Sequence, residues 1–141
     1  MSNKPSILLR AAAILVLLHF VGHTVGMLQG PSHGQEEVGV IEAMRAHHFN
    51  MMGSSRSYWD FFLGFGFDAS INMLLQAALL WLLAALARTN PAVARPFIAV
   101  FVLAWIAVLL LYLKYFFAAP IVFAIVMVAV LGAALASARK A

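Results

Sequence analysis

The chain has no cysteine. That excludes disulfides, thiolate metal sites and cysteine nucleophiles, and leaves the redox compartment open. It has few charges, only 10% of its 141 residues, where a soluble domain carries about 25%. Such a chain cannot solvate its own exterior, so its solvent is lipid. Acidic residues are confined to Glu36, Glu37, Glu42, Asp60 and Asp68, and no histidine follows His48. The last two-thirds of the sequence therefore offers no imidazole, which argues against a haem held between two core helices. No Glu-x-x-His pair points to a di-iron bundle. No His-Glu-x-x-His, Gly-x-Ser-x-Gly or phosphate-loop string is present.

What is there is apolar: 65% of residues, in long runs. Four runs approach or exceed the roughly 20 residues that cross a hydrocarbon core. They span about 6–28, 58–87, 96–117 and 120–138. The first is interrupted by His19 and His23 and lacks a clear cleavage site, so it reads as a span and not as a signal peptide. Pro96 suits the first turn of the third span, and the short link at Ala118-Ala119-Pro120 predicts an antiparallel hairpin of spans three and four. The fold class that follows is all-α: a single transmembrane domain, an integral membrane four-helix bundle, with a short amphipathic helix in the first extracytoplasmic connection. That helix is expected over about 36–52, because Ile41, Met44, His48 and Met51 or Met52 recur at helical spacing. Gly53-Ser54-Ser55 would stop it, and Gly30-Pro31-Ser32-Gly34 would form the turn before it. The helix would lie as a lid over the bundle.

The nine Lys and Arg are scattered, which reads as topology and not as a nucleic-acid surface. Lys4 and Arg10, Arg88 and Arg95, and Arg139 and Lys140 share one face in a four-span chain. The positive-inside rule places that face, and both termini, in the cytoplasm of a bacterial inner (plasma) membrane. Tyr58, Trp59, Tyr112 and Tyr115 would then form an outer aromatic belt.

The polar side chains within the spans are the candidate chemistry, because ionisable groups at membrane depth must pair, meet water or bind something. His19 and His23 lie one turn apart on one helix face. They can share a divalent metal such as zinc through ring nitrogens, or they can bond within the protein. Asp68, Asn72 and Gln76 recur every fourth residue as one polar face of the second span. A His19/His23–Asp68 pair would make an acid–base centre; the alternative is a polar network joining helices. Arg56 and Asp60 are four apart and can form an ion pair at the head of span two, or Arg56 can hold an anionic ligand group. His48, on the apolar stripe of the lid, faces inward in this reading. His33 and His47 are left to solvent or the turn. Trp59 and Lys114 complete the set near the outer interface, with Lys114 long enough to snorkel.

The string Gly53-Ser54-Ser55-Arg56-Ser57-Tyr58-Trp59-Asp60-Phe61, with the histidines of the first span, resembles a group of small bacterial four-span membrane proteins. A looser similarity to DoxX-like four-helix proteins covers the whole chain. These resemblances imply an architecture and no particular reaction. The expectation is a pocket lined by His19, His23, Asp68, Asn72 and His48 that acts on or binds a small amphiphile from the outer leaflet: a lipid, quinone or isoprenoid. The alternatives are a non-catalytic metal- or lipid-binding protein and a structural subunit of a membrane complex. Membrane lipids are the expected partners. With spans three and four almost free of polar groups, any pore would need a homo-oligomer.

Overall fold

The computed structural model describes residues 3–30 and 34–138. His33, Pro31, Ser32, Arg139 and Lys140 lie outside the described residues. Among the described residues, five helices and one small hairpin follow in order. They are α1 (Lys4–Leu28), α2 (Gln35–Ala46), β1 (His48–Met51), β2 (Ser54–Ser57), α3 (Tyr58–Thr89), α4 (Pro91–Tyr115) and α5 (Ala118–Ser137). The protein is all-α in class, and α1, α3, α4 and α5 are each long and apolar enough to cross a membrane. At 1.5 Å per residue, the 32 residues of α3 extend about 48 Å, well beyond a hydrocarbon core of roughly 30 Å.

The chain divides into two compact units. The first holds residues 1–17 and 75–141, so it contains the start of α1, the end of α3, and α4 and α5. Its core is aliphatic and small: Leu9, Val16, Leu80, Ile98, Met127 and Leu131 are fully buried, and Ala12, Ala84, Ala94, Ala124 and Ala134 are buried beside them. Alanine at these positions lets helix backbones approach closely, the usual device where lipid removes any hydrophobic drive for association. Outward positions such as Ile7, Leu103, Leu110 and Val122 are exposed, which is the pattern of helices solvated by lipid. Trp105 is also buried, 5.6 Å edge-on to Phe123.

The start of α4 departs from the sequence expectation. The helix begins at Pro91, five residues before Pro96. Asn90 caps it, accepting a hydrogen bond from the Val93 amide at 3.2 Å. Pro91 occupies the first turn, where its missing N–H costs nothing, and Pro96 sits inside the helix. Likewise α5 starts at Ala118 and takes Pro120 into its first turn, leaving Phe116 and Phe117 as the link.

The second unit is residues 18–74. The lid helix is shorter than its periodicity predicts. α2 stops at Ala46 because His47 turns extended, at φ −81° and ψ 98°. The residues that follow form an antiparallel hairpin, with His48 opposite Ser57, Phe49 opposite Arg56 and Met51 opposite Ser54. The turn is Met52-Gly53, with φ +51° and +83°. Positive φ at both central residues is the two-residue turn whose twist matches paired strands, and glycine at its second position supplies it without strain. Gly53 therefore reverses the chain instead of ending a helix. None of the α2 residues is buried. Glu36 and Glu37 at its start and Arg45 at its end match the helix dipole.

Candidate functional site

Ser57 ends β2 and caps α3. Its hydroxyl accepts from the Asp60 amide at 3.2 Å, while the Asp60 carboxylate accepts from the Ser57 amide at 2.7 Å and from the Ser57 hydroxyl at 3.0 Å. This reciprocal pair is a capping box, with aspartate in the place usually taken by glutamate. It replaces the expected Arg56–Asp60 ion pair: Arg56 donates instead to the Ser55 carbonyl at 2.7 Å.

The hairpin register sets where Arg56 stands. Opposite residues of an antiparallel pair share a face, so Arg56 lies on the same side as Phe49. Phe49 packs on Tyr58 and Phe61, with ring centroids 5.1 and 5.6 Å apart, and Phe61 continues to Phe65 at 5.8 Å. Arg56 thereby joins an α3 face, and an open cleft of about 560 Å³ results, lined by Arg56, Asp60, Phe61, Gly64, Phe65 and Asp68. From Phe61 onward its lining residues repeat at three and four, one stripe of a helix. A Cβ at Gly64 would meet nothing within 4 Å, so that position widens the cleft. Trp59 belongs to the same end of α3, stacked on Phe62 at 5.2 Å and covered by the Arg45 guanidinium at 4.7 Å.

The histidines do not join this cleft. His23 Nε2 lies 3.1 Å from the Gly66 carbonyl, a hydrogen bond in which the imidazole donates. Beside it, the hydroxyls of Thr24 and Ser70 are 2.9 Å apart, and Ser70 also donates to the Gly66 carbonyl at 3.2 Å. These groups hold α1 against α3. At about 100° per residue, Asp68 points roughly 200° away from Gly66 on α3. Its carboxylate accepts instead from Asn72 Nδ2 at 3.2 Å, and the same amide donates to the Asp68 carbonyl at 2.9 Å. The α3 face that meets His23 and the face that carries Asp68 are opposite, so His23 does not pair with Asp68. Sequence periodicity set Asp68 and Asn72 on one face correctly, but it could not say which face meets α1.

The remaining sequence candidates scatter. His48 is on β1 and exposed, not on an inward helical stripe, because the chain is extended there. His47 stacks on Tyr58 at 5.4 Å. Gln76 is half-buried in the first unit, and Lys114 is exposed at the end of α4, 5.1 Å over the Tyr115 ring. Among the described residues, no three of His, Asp and Glu come together as a metal set. Among the described residues, His19 and His23 thus have no third ligand of these types for zinc. Phe61 and Phe65 are the cleft residues that sequence reasoning passed over, whereas Gly64 reads from the sequence as a place where a ligand or neighbour can approach the backbone. Their i, i+3, i+4 spacing with Asp68 was the available signal.

The chain matches no protein-family model, no curated protein and no solved structure.

Proposed function

We propose that this multi-pass membrane protein binds a small amphiphile, of the lipid, quinone or isoprenoid class, in the cleft at the head of α3. One observation carries this reading. A guanidinium and two carboxylates, Arg56, Asp60 and Asp68, line a cleft with Phe61 and Phe65 on a helix of membrane-spanning length. Aromatic walls bury an apolar body, while a few fixed polar groups orient its head. Asp68 lies about 15 Å along α3 from Tyr58, deep enough that an exposed carboxylate is costly without water or a ligand. The charge pattern favours a bacterial plasma membrane with both termini in the cytoplasm and the hairpin outside. The ligand would then enter from the outer leaflet.

Binding, not turnover, is the reading this geometry supports, since the His23 imidazole is taken up by the Gly66 carbonyl in the α1–α3 contact and lines no part of the cleft. The same hydrogen bonds favour a structural role for His23, Thr24 and Ser70. The test is titration of the detergent-purified protein with decylubiquinone and with farnesol, followed by tryptophan quenching. At least one should bind saturably. Phe65→Ala should weaken it about tenfold, the effect of losing roughly 1.5 kcal/mol of aromatic burial, and Arg56→Gln or Asp68→Asn should weaken it measurably. Saturable binding that ignores all three substitutions, or no saturable binding, defeats the proposal.

A further inference from the structure

The polar groups of the α3 cleft are unevenly placed along it. At its head, Arg56 and Asp60 are electrostatic neighbours, and one Asp60 oxygen also takes two hydrogen bonds from Ser57. The Arg56 charge is therefore met there. Asp68 lies about 12 Å further along the helix than Asp60, and it is exposed. Asn72 directs its amide at the Asp68 carbonyl and at one carboxylate oxygen. Among the described residues, no hydrogen bond reaches the other carboxylate oxygen of Asp68 or the side-chain oxygen of Asn72.

The inner end of the cleft is thus made of acceptors. Besides these two open oxygens it has the rings of Phe61 and Phe65, and an aromatic face is itself electron-rich. Phe65 is 68% exposed, and the two rings are inclined at 48° to each other. Phe61, Gly64 and Phe65 carry no side-chain donor. Among the described residues lining the cleft, Arg56 is the single cation against the two carboxylates of Asp60 and Asp68, so one negative charge is unbalanced. A carboxylate at membrane depth is costly without a partner. A ligand that settles beside Asp68 must bring donors and a positive charge.

We propose that the amphiphile bound in this cleft is an amine: a primary ammonium on a long hydrocarbon tail, its N–H groups donating to Asp68 and Asn72 and its charge lying against Phe65. The inference rests on the cleft being an amphiphile site and narrows the class of ligand. An ammonium brings three donors, and its bond to a carboxylate is roughly twice as strong as a neutral one. An alcohol on the same tail brings one donor and no charge. The chain as a whole carries a net charge of +4, which repels cations at long range. A preference for the amine would therefore be local in origin.

The experiment is isothermal titration calorimetry of the full chain in dodecyl maltoside, at neutral pH and physiological salt, with farnesylamine and with farnesol. The two share one tail, and the amine is protonated at this pH as a lysine is. Farnesylamine should bind about tenfold more tightly, the strength of one charge-assisted hydrogen bond. Asp68→Asn should abolish that preference while farnesol still binds. Glu42→Gln removes an equal charge from α2, outside the cleft, and should leave the preference intact. Phe65→Ala should weaken both ligands. Equal affinity of the two ligands for the wild-type protein, with both weakened by Phe65→Ala, overturns the amine and leaves the amphiphile cleft standing. A preference that persists in Asp68→Asn, or that falls equally in Glu42→Gln, also overturns it. Saturable binding of neither ligand overturns the amine and the cleft together.

Discussion

Gly64 and Gly66 are two residues apart on α3, and the structure predicts different responses to the same substitution. In a helix interior, alanine in place of glycine gains about 1 kcal/mol by restricting the unfolded backbone. At Gly64 a new Cβ meets nothing within 4 Å, so Gly64→Ala should realise that gain. At Gly66 the same Cβ would overlap the Sδ of Met27 and lie 2.5 Å from its Cε. Met27 must swing aside at the contact where His23 bonds to the Gly66 carbonyl. Overpacking of this kind costs roughly 1–3 kcal/mol, at the lower end here because the obstruction is the flexible tip of a methionine. Set against the same helix gain, Gly66→Ala should therefore be close to neutral, about 1 kcal/mol less stable than Gly64→Ala. The double variant Met27→Ala/Gly66→Ala should show favourable coupling, recovering much of the loss relative to Met27→Ala alone. Thermal or denaturant unfolding in detergent, read by circular dichroism, provides the measurement. Gly64→Ala carries a second expectation, since its methyl group enters the cleft: stability rises while amphiphile affinity falls. If Gly66→Ala stabilises as much as Gly64→Ala, or if the Met27 substitution gives no relief, the described packing of α1 on α3 is wrong.

Removing the hydrogen bonds across α1 and α3, by His23→Ala or the Thr24→Val/Ser70→Ala pair, should cost about 0.5–1.5 kcal/mol each, the range for interhelical bonds in lipid. Amphiphile binding should survive both, and its loss in a folded His23→Ala protein would reinstate the imidazole as a ligand. Met52→Asn should stabilise the hairpin by roughly 0.5–1 kcal/mol, because asparagine tolerates the positive φ that Met52 adopts. Gly53→Val should do the reverse and broaden the amide signals of residues 48–57. Ser57→Ala should lower stability by about 1 kcal/mol through loss of the cap, and hydrogen exchange should show the first turn of α3 opening. Unchanged protection there would mean that Ser57 does not cap the helix.

Sequence alone determined the four membrane-length helices, because their length and apolarity leave lipid as the only tolerable solvent. It also set Asp68 and Asn72 on one face, since helical period is a property of the backbone. The hairpin was less legible. Met44 and His48 satisfied helical spacing equally well, and only the paired register of residues 48–57 showed that Met52-Gly53 reverses the chain. What tertiary structure decided was rotation. Periodicity defines a face without saying which neighbour it meets, so the same sequence allows Asp68 to confront the histidines of α1 or to point the other way. Packing chose Gly66, where a missing side chain admits Met27 and lets His23 reach the backbone, and thereby turned Asp68 toward the cleft.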